Sequence, residues 1–467
     1  MVTGLSALGL TWADLRTPVG LLKLDAHFLT YLEKAAPDLL ATIAQFRHED
    51  TVSPIALSDG LLALAPHVEA FVADFFGVRV EVERLRQSVL REQGIFTFKE
   101  KAVLRDARRA LKRTGLPSFA EQDRWLSAQL TMAAKSGDRE WQVAQLAETW
   151  LADLATYQAE WDQLINWCIL AMTTPEGQAA VADWVSFRLP QKVDPAHLVP
   201  LAPASDLTPP RLQGAVALRE RQGFQLTDPR MSERQVQNET HYCVYCHEQD
   251  GDFCGKGFPV KKADPTLGLK TNALGDVLAG CPLDEKISEM NYLKMQGFSI
   301  APLAVVMVDN PLCPATGHRI CNDCMKACIY QKQDPVNIPQ IETRVLTDVL
   351  SLPYGVEIFD LLTRWNPLRR TQWCEAAYNG YKVLVMGMGP AGFTLAHYLL
   401  MEGFAVVGVD GLKIEPLASP LLTDPIASYA DFCESLDDRV MLGFGGVAEY
   451  GITVRWDKNF LKLVYLT

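Results

Sequence analysis

Residues 381–410 read YKVLVMGMGPAGFTLAHYLLMEGFAVVGVD. Tyr381 to Met386 is a short apolar run of strand type, and Gly387, Gly389 and Gly392 follow it at once as G-x-G-x-x-G. A helical pattern runs from Phe393 to Glu402, and a second strand pattern from Ala405 to Val409 ends at Asp410. Each glycine has its own duty in such a turn. Gly387 permits the tight bend, Gly389 lets the backbone approach a pyrophosphate, and Gly392 lets helix and strand pack closely. The helix start presents free N–H groups and a positive dipole end to phosphates, and Asp410 falls where a carboxylate can bind ribose hydroxyls. Strand, helix, strand and terminal acid in one stretch predict a nucleotide-binding α/β segment. The plain alternative is a glycine turn in an unrelated α/β domain. The pattern alone does not choose between FAD and NAD(P).

The sequence just upstream is crowded with cysteine. Of eleven cysteines, Cys243, Cys246, Cys254, Cys281, Cys313, Cys321, Cys324 and Cys328 lie together, and only Cys168, Cys374 and Cys433 stand apart. The three outliers read as small buried hydrophobes. The N-terminus lacks the basic and apolar regions of a secretory signal, and no apolar run of membrane-spanning length is expected. A cytoplasmic chain is therefore expected, with reduced thiols, and such crowding then points to metal ligation and not to disulfides. The net charge of -12 and pI of about 5.3 disfavour nucleic acid and anionic membranes as partners. Cys243-x-x-Cys246 and Cys321-x-x-Cys324 are pairs whose thiolates can face one metal from one turn, with Cys254, Cys281 and Cys328 as further ligands. Iron–sulfur clusters need such soft ligands. Zinc uses the same pairs. Cys243 to His247 also matches the c-type haem attachment pattern, but haem attachment normally follows export. A thioredoxin-like dithiol would need a βαβ setting that is absent around Cys243.

Cys281-Pro282, Asn310-Pro311-Leu312, GHRICNDCMKAC at 317–328 and PVNIPQIE at 335–342 occur in that order after the first pair. In this respect the chain resembles the N-terminal cluster domain shared by the glutamate synthase small subunit and dihydropyrimidine dehydrogenase, over roughly residues 230–460. The resemblance implies one [4Fe–4S] cluster on Cys243, Cys246, Cys254 and Cys328, and a second on Cys281, Cys321, Cys324 and Glu342. Taken alone, Glu342 reads as an ordinary surface carboxylate. Two departures stand out: a long insertion, GKGFPVKKADPTLGLKTNALGDVLAG, separates Cys254 from Cys281, and the cysteine triplet is shorter between its first two members. The resemblance also implies FAD at Gly387, Gly389, Pro390, Ala391, Gly392 and Asp410, with Gly445, Gly446 and Arg455 along the flavin. The family continues with an NAD(P)H-binding domain, so the sequence is expected to be a fragment, completed by the downstream part of the same oxidoreductase or by a partner redox subunit. The implied activity is electron transfer between NAD(P)H, FAD and two clusters to an acceptor. The alternative is a non-catalytic scaffold with structural zinc and a nucleotide-binding segment.

The expected fold class is multidomain: an all-α N-terminal domain, an α-helical iron–sulfur domain, and a partial α/β Rossmann-like FAD-binding domain. The expected boundaries are 1–188 for the helical domain, 189–213 for a proline-rich linker, 214–345 for the two clusters, 346–378 for a connector and 379–467 for the flavin segment. Within 1–188, Ser118 with Glu121 forms a capping box and Thr174-Pro175 a helix restart. Trp150, Leu154, Tyr157, Trp161, Leu164 and Cys168 recur at helical spacing and read as core. No catalytic group stands out in this region.

Overall fold

The computed structural model describes residues 3–48, 52–133, 137–198, 201–204, 211–214, 230–314, 321–411 and 425–432. Helix dominates these residues throughout, with four short strands. Contacts divide the chain into two compact units. One holds residues 1–86, 192–231 and 243–467, and the other holds 87–191 and 232–242. The expected helical domain of 1–188 is therefore cut at residue 86, and its first part shares a core with the cysteine-rich segment.

The smaller unit is built from helices at Gln93–Phe98, Phe119–Ala133, Arg139–Ala152 and Leu154–Thr173. Ser118 and Glu121 cap each other: the Ser118 N–H donates to Glu121 Oε2 at 2.9 Å and the Glu121 N–H to Ser118 Oγ at 3.3 Å. The aromatic stripe joins one core, where Trp150, Trp161, Leu164 and Cys168 are buried and Leu154 and Tyr157 pack against them. The stripe spans two helices, because the chain kinks at Asp153 between them. Arg234 anchors the returning segment, 2.7 Å from Glu92 and from Asp138 and 3.1 Å from Glu140. A nine-residue π-helical stretch, Lys99–Ala107, starts at a largely buried lysine. The Lys99 ammonium donates to the Val185 carbonyl at 2.9 Å, the Arg188 carbonyl at 2.7 Å and Asn238 Oδ1 at 2.5 Å.

In the larger unit the Pro54–Phe76 helix is long and apolar enough to cross a membrane by length and composition, which the sequence reading had not expected, yet half of its most apolar window is buried in the fold. It serves as a core helix. Glu69, in its middle, accepts the N–H groups of Ser299, Ile300 and Ala301 at 2.9, 2.7 and 2.9 Å, which caps the Ile300–Asp309 helix. Asp25 does similar work: Arg47 binds it through two hydrogen bonds of 2.9 and 2.7 Å, and the Trp365 indole donates to it at 3.0 Å.

The expected connector is itself core. The Gly355–Arg364 helix carries a continuous apolar face through Val356, Phe359 and Leu362, and Trp365 is fully buried after it. Within the expected proline-rich linker, β1 (Leu201–Ala204) pairs antiparallel with β2 (Arg211–Gly214). Proline is tolerated in an edge strand where its nitrogen faces away from the partner. In the flavin segment, β3 (Lys382–Met386) and β4 (Ala405–Val409) pair in parallel, joined by the Pro390–Met401 helix. Among the described residues this sheet stops at two strands. It is a single βαβ unit and not the doubly wound sheet of a Rossmann fold. The crossover helix covers one face, while Leu384, Met386 and Val407 on the other are more than half exposed.

Candidate metal centre and nucleotide-binding turn

The cysteines are delivered by short turns between helices. Cys243 follows the Glu233–Tyr242 helix, and Tyr245, in a left-handed conformation at φ 47°, swings Cys246 back toward it. Cys254 sits in the single turn Phe253–Lys256, capped by Asp252. The 26-residue insertion that follows closes on itself. Phe258 pairs with Leu278 and Lys270, and Val260 with Gly268, at 2.8–3.0 Å. The Cys281 N–H then donates to the Cys254 carbonyl at 2.7 Å, so the insertion leaves as a hairpin and the two cysteines remain neighbours. Gly280, at φ 78°, lies at its neck, where a Cβ would collide with the backbone of Gly257 and Gly255.

The sulfurs form two groups bridged by Cys254, which lies within electrostatic reach of Cys324 as well as of Cys328 and Cys243. Cys254 and Cys328 share a hydrogen bond, and Cys243 and Cys246 lie within electrostatic reach of Cys328 and of each other. The Cys328 thiol is drawn down to about 7, by Cys254 first and then, against burial, by the backbone N–H groups of Tyr330, Val336 and Ile329. Such N–H groups favour the charged form of a buried sulfur. Burial pushes Cys246 up to about 12, and the nearby sulfurs of Cys243 and Cys328 add to the effect. Asn291 Nδ2 donates to Cys243 Sγ at 3.5 Å. In the second set, Cys324 lies near Glu342, Cys281, Glu285 and Cys321. The Cys281 thiol is pushed up to about 12 by burial and then by Glu285, with Glu342 also contributing. Burial, followed by the neighbouring Glu285, lifts the Glu342 carboxyl well above the carboxylate range. Cys313 is buried beside Glu342 and Glu285. Cys168 is fully buried, Cys374 is only half-buried, and Cys433 lies outside the described residues. Among the described residues, no three histidine, cysteine or acidic side chains stand at the spacing of one metal ion.

Several members of these sets escaped the sequence reading. Glu285 sits four residues after Cys281, yet nothing in Cys281-Pro-Leu-Asp-Glu285 marks it as buried. Asn291 carries no motif. Asn310 was visible only as part of Asn-Pro-Leu; its amide donates to Glu342 Oε1 at 3.3 Å.

In the βαβ unit, Gly387 takes φ 96°, and no atom lies within 4 Å of a Cβ built at Gly389. At Gly392 a Cβ would collide with the Gly387 carbonyl oxygen, so only glycine fits. Pro390 and Ala391 open the helix. Asp410 closes the turn from the far strand, where its carboxylate accepts the Met388 N–H at 2.6 Å. Gly445, Gly446 and Arg455 lie outside the described residues.

Residues 5–77 match the family described as the RP005 N-terminal alpha-helical domain. Two relatives from Rickettsia prowazekii (strain Madrid E) are similar to this chain. Uncharacterized protein RP006 is 56% identical over 152 residues, which are 32% of this chain and 21% of that protein. Uncharacterized protein RP005 is 29% identical over 290 residues, 59% of this chain and 94% of that one. The chain thus spans about a fifth of the length of the first relative.

Proposed function

We propose that this chain is an electron-carrying segment of an oxidoreductase, which passes electrons between NAD(P)H, FAD and two [4Fe–4S] clusters to an acceptor. The observation that supports the reading is the hydrogen bond between Cys254 and Cys328 with Cys243 and Cys246 near them, beside a second neighbourhood of Cys281, Cys321, Cys324 and Glu342 in which Cys321 is exposed. Cys243, Cys246, Cys254 and Cys328 would hold one cluster, and Cys281, Cys321 and Cys324 with Glu342 the other. Four soft donors in the first set suit iron–sulfur chemistry. The resemblance to the glutamate synthase small subunit and dihydropyrimidine dehydrogenase supports the same division. When bound, the clusters supply single-electron transfer, and a flavin supplies conversion between hydride and single electrons.

The chain's own residues tune and position. Backbone N–H groups at Tyr330, Val336 and Ile329 stabilise negative charge on Cys328, as Asn291 does on Cys243. Donors to sulfur raise a cluster's potential. Glu342 offers a harder oxygen in place of a fourth thiolate, so the two clusters would differ in potential. The Gly387–Gly392 turn would take the FAD pyrophosphate against the open backbone at Gly389, as a partial Rossmann-like site. NAD(P)H would bind elsewhere, on the downstream part of the same oxidoreductase or a partner redox subunit. The location is expected to be cytoplasmic, where the thiols stay reduced.

Single substitutions test the assignment. Cys328→Ser and Cys324→Ser should each remove about half of the bound iron, because each removes a ligand of a different cluster. Retention of full iron by both variants contradicts the reading.

A further inference from the structure

We propose that the cavity between the first turns of the Pro54–Phe76 helix and the last turn of the Pro390–Met401 helix is a binding site for a small organic dianion of the dicarboxylate class. It holds about 480 Å³ and is lined also by the end of the Ile300–Asp309 helix and by residues 368–372. That volume suits a small molecule. Leu57, Leu61, Val308 and Met401 supply apolar walls.

Two buried side chains point to an anion. Arg369 is 7% exposed and donates to the carbonyls of Thr363, Met307 and Leu362 at 2.8, 3.0 and 3.2 Å. Those acceptors are neutral. Among the described residues no carboxylate pairs with the guanidinium, and Asp309 acts on it only from a distance. Burial draws Arg369 down to about 10, so it stays charged at neutral pH. A buried cation without a counter-charge is costly, and a bound anion would offset that cost. His397 is equally buried and lines the same cavity. Its ring nitrogens meet no hydrogen-bond partner among the described residues, yet they are not closed off inside the fold. Burial, and then Arg369 and Arg364, holds the imidazole down at about 4, so it is neutral and offers one donor and one acceptor. A ligand oxygen would satisfy that donor.

The walls also carry Lys256, Lys286 and Arg370. Two acids oppose them. Asp309 stands 3.7 Å from Lys286, and burial lifts its carboxyl to about 6; Asp284 is exposed. Four cations against two acids leave positive charge to spare, which favours a dianion over a monoanion. None of these side chains is a candidate cluster ligand, so the site stands whether or not the cysteines carry iron.

Calorimetric titration of the full chain, purified anaerobically, with succinate and with succinamide tests the proposal. Succinate should bind saturably, one per chain, with succinamide at least about tenfold weaker. His397→Phe keeps a ring in place and removes both nitrogens. Lys256→Met removes an exposed charge, so it tests the site even if the histidine variant folds poorly. Each should weaken succinate at least about threefold. The proposal is overturned if succinate fails to saturate up to about 10 mM, if succinamide binds as tightly as succinate, or if both variants bind like the parent.

Discussion

The backbone N–H of Cys281 donates to the carbonyl of Cys254 at 2.7 Å, across 26 intervening residues. This one bond lets two candidate ligands from opposite ends of an insertion serve neighbouring centres. Its geometry depends on Gly280, whose positive φ and crowded neck admit no side chain.

Gly280→Ala should therefore disturb both sulfur sets. The expected outcome is loss of most bound iron and a clear fall in thermal midpoint. Gly275→Ala is the matched control. Its φ of 90° is similarly left-handed, but nothing stands within 4 Å of its Cβ. It should cost about 1–2 kcal/mol of backbone strain and leave iron content unchanged. Equal iron loss in both variants would show that the neck does not position the cysteines.

Asp25 neutralises Arg47 and accepts the Trp365 indole, and both members of the ion pair are nearly buried. The Arg47 guanidinium also lies 3.9 Å over the Trp373 ring. Asp25→Ala leaves a buried cation and an indole N–H without their acceptor. Urea denaturation should register a loss of about 3–5 kcal/mol. A change below about 1 kcal/mol would mean that the pair is solvated in the native state.

Lys99 gives the smaller unit a pH dependence. Burial draws its ammonium down to about 8 from 10.5, while Glu239 and Glu140 resist. Between these values the unfolded chain holds a proton that the folded chain lacks, so stability rises with pH across the window and is lost as pH falls through about 8. The full swing is on the order of 3 kcal/mol. Lys99→Met should flatten this rise when unfolding is followed from pH 7.5 to 10. Parallel curves for parent and variant would refute it.

Gly389 stands in open space, so Gly389→Ala should fold with an unchanged midpoint. The added methyl would meet the pyrophosphate, and FAD affinity measured by fluorescence quenching should fall at least about tenfold, or ~1.4 kcal/mol. Undiminished FAD binding would remove this turn from the flavin site.

Local patterns were the most legible part of the sequence. The strand–turn–helix–strand of 381–410 follows from apolar runs and glycine spacing, and the capping box at Ser118 follows from side-chain chemistry. The aromatic stripe was correctly read as core, although its kink at Asp153 was not foreseen. Long-range packing was not legible. Nothing in the Pro54–Phe76 pattern says that Glu69 caps a helix more than two hundred residues away, so the boundary at residue 86 was missed. The connector at 346–378 was misjudged because its helix is short, and its apolar face matters only once Trp365 is buried. Within the sulfur sets, cysteine spacing pointed to the candidate ligands, while Glu285 and Asn291 have no local signature. Tertiary contact alone brings them there.

The account's central claim meets its most direct test in the iron and acid-labile sulfide content of the anaerobically purified chain. Two cubane clusters require about eight of each per chain, with a broad absorbance near 400 nm. A colourless protein that holds stoichiometric zinc, or no tightly bound metal, contradicts it.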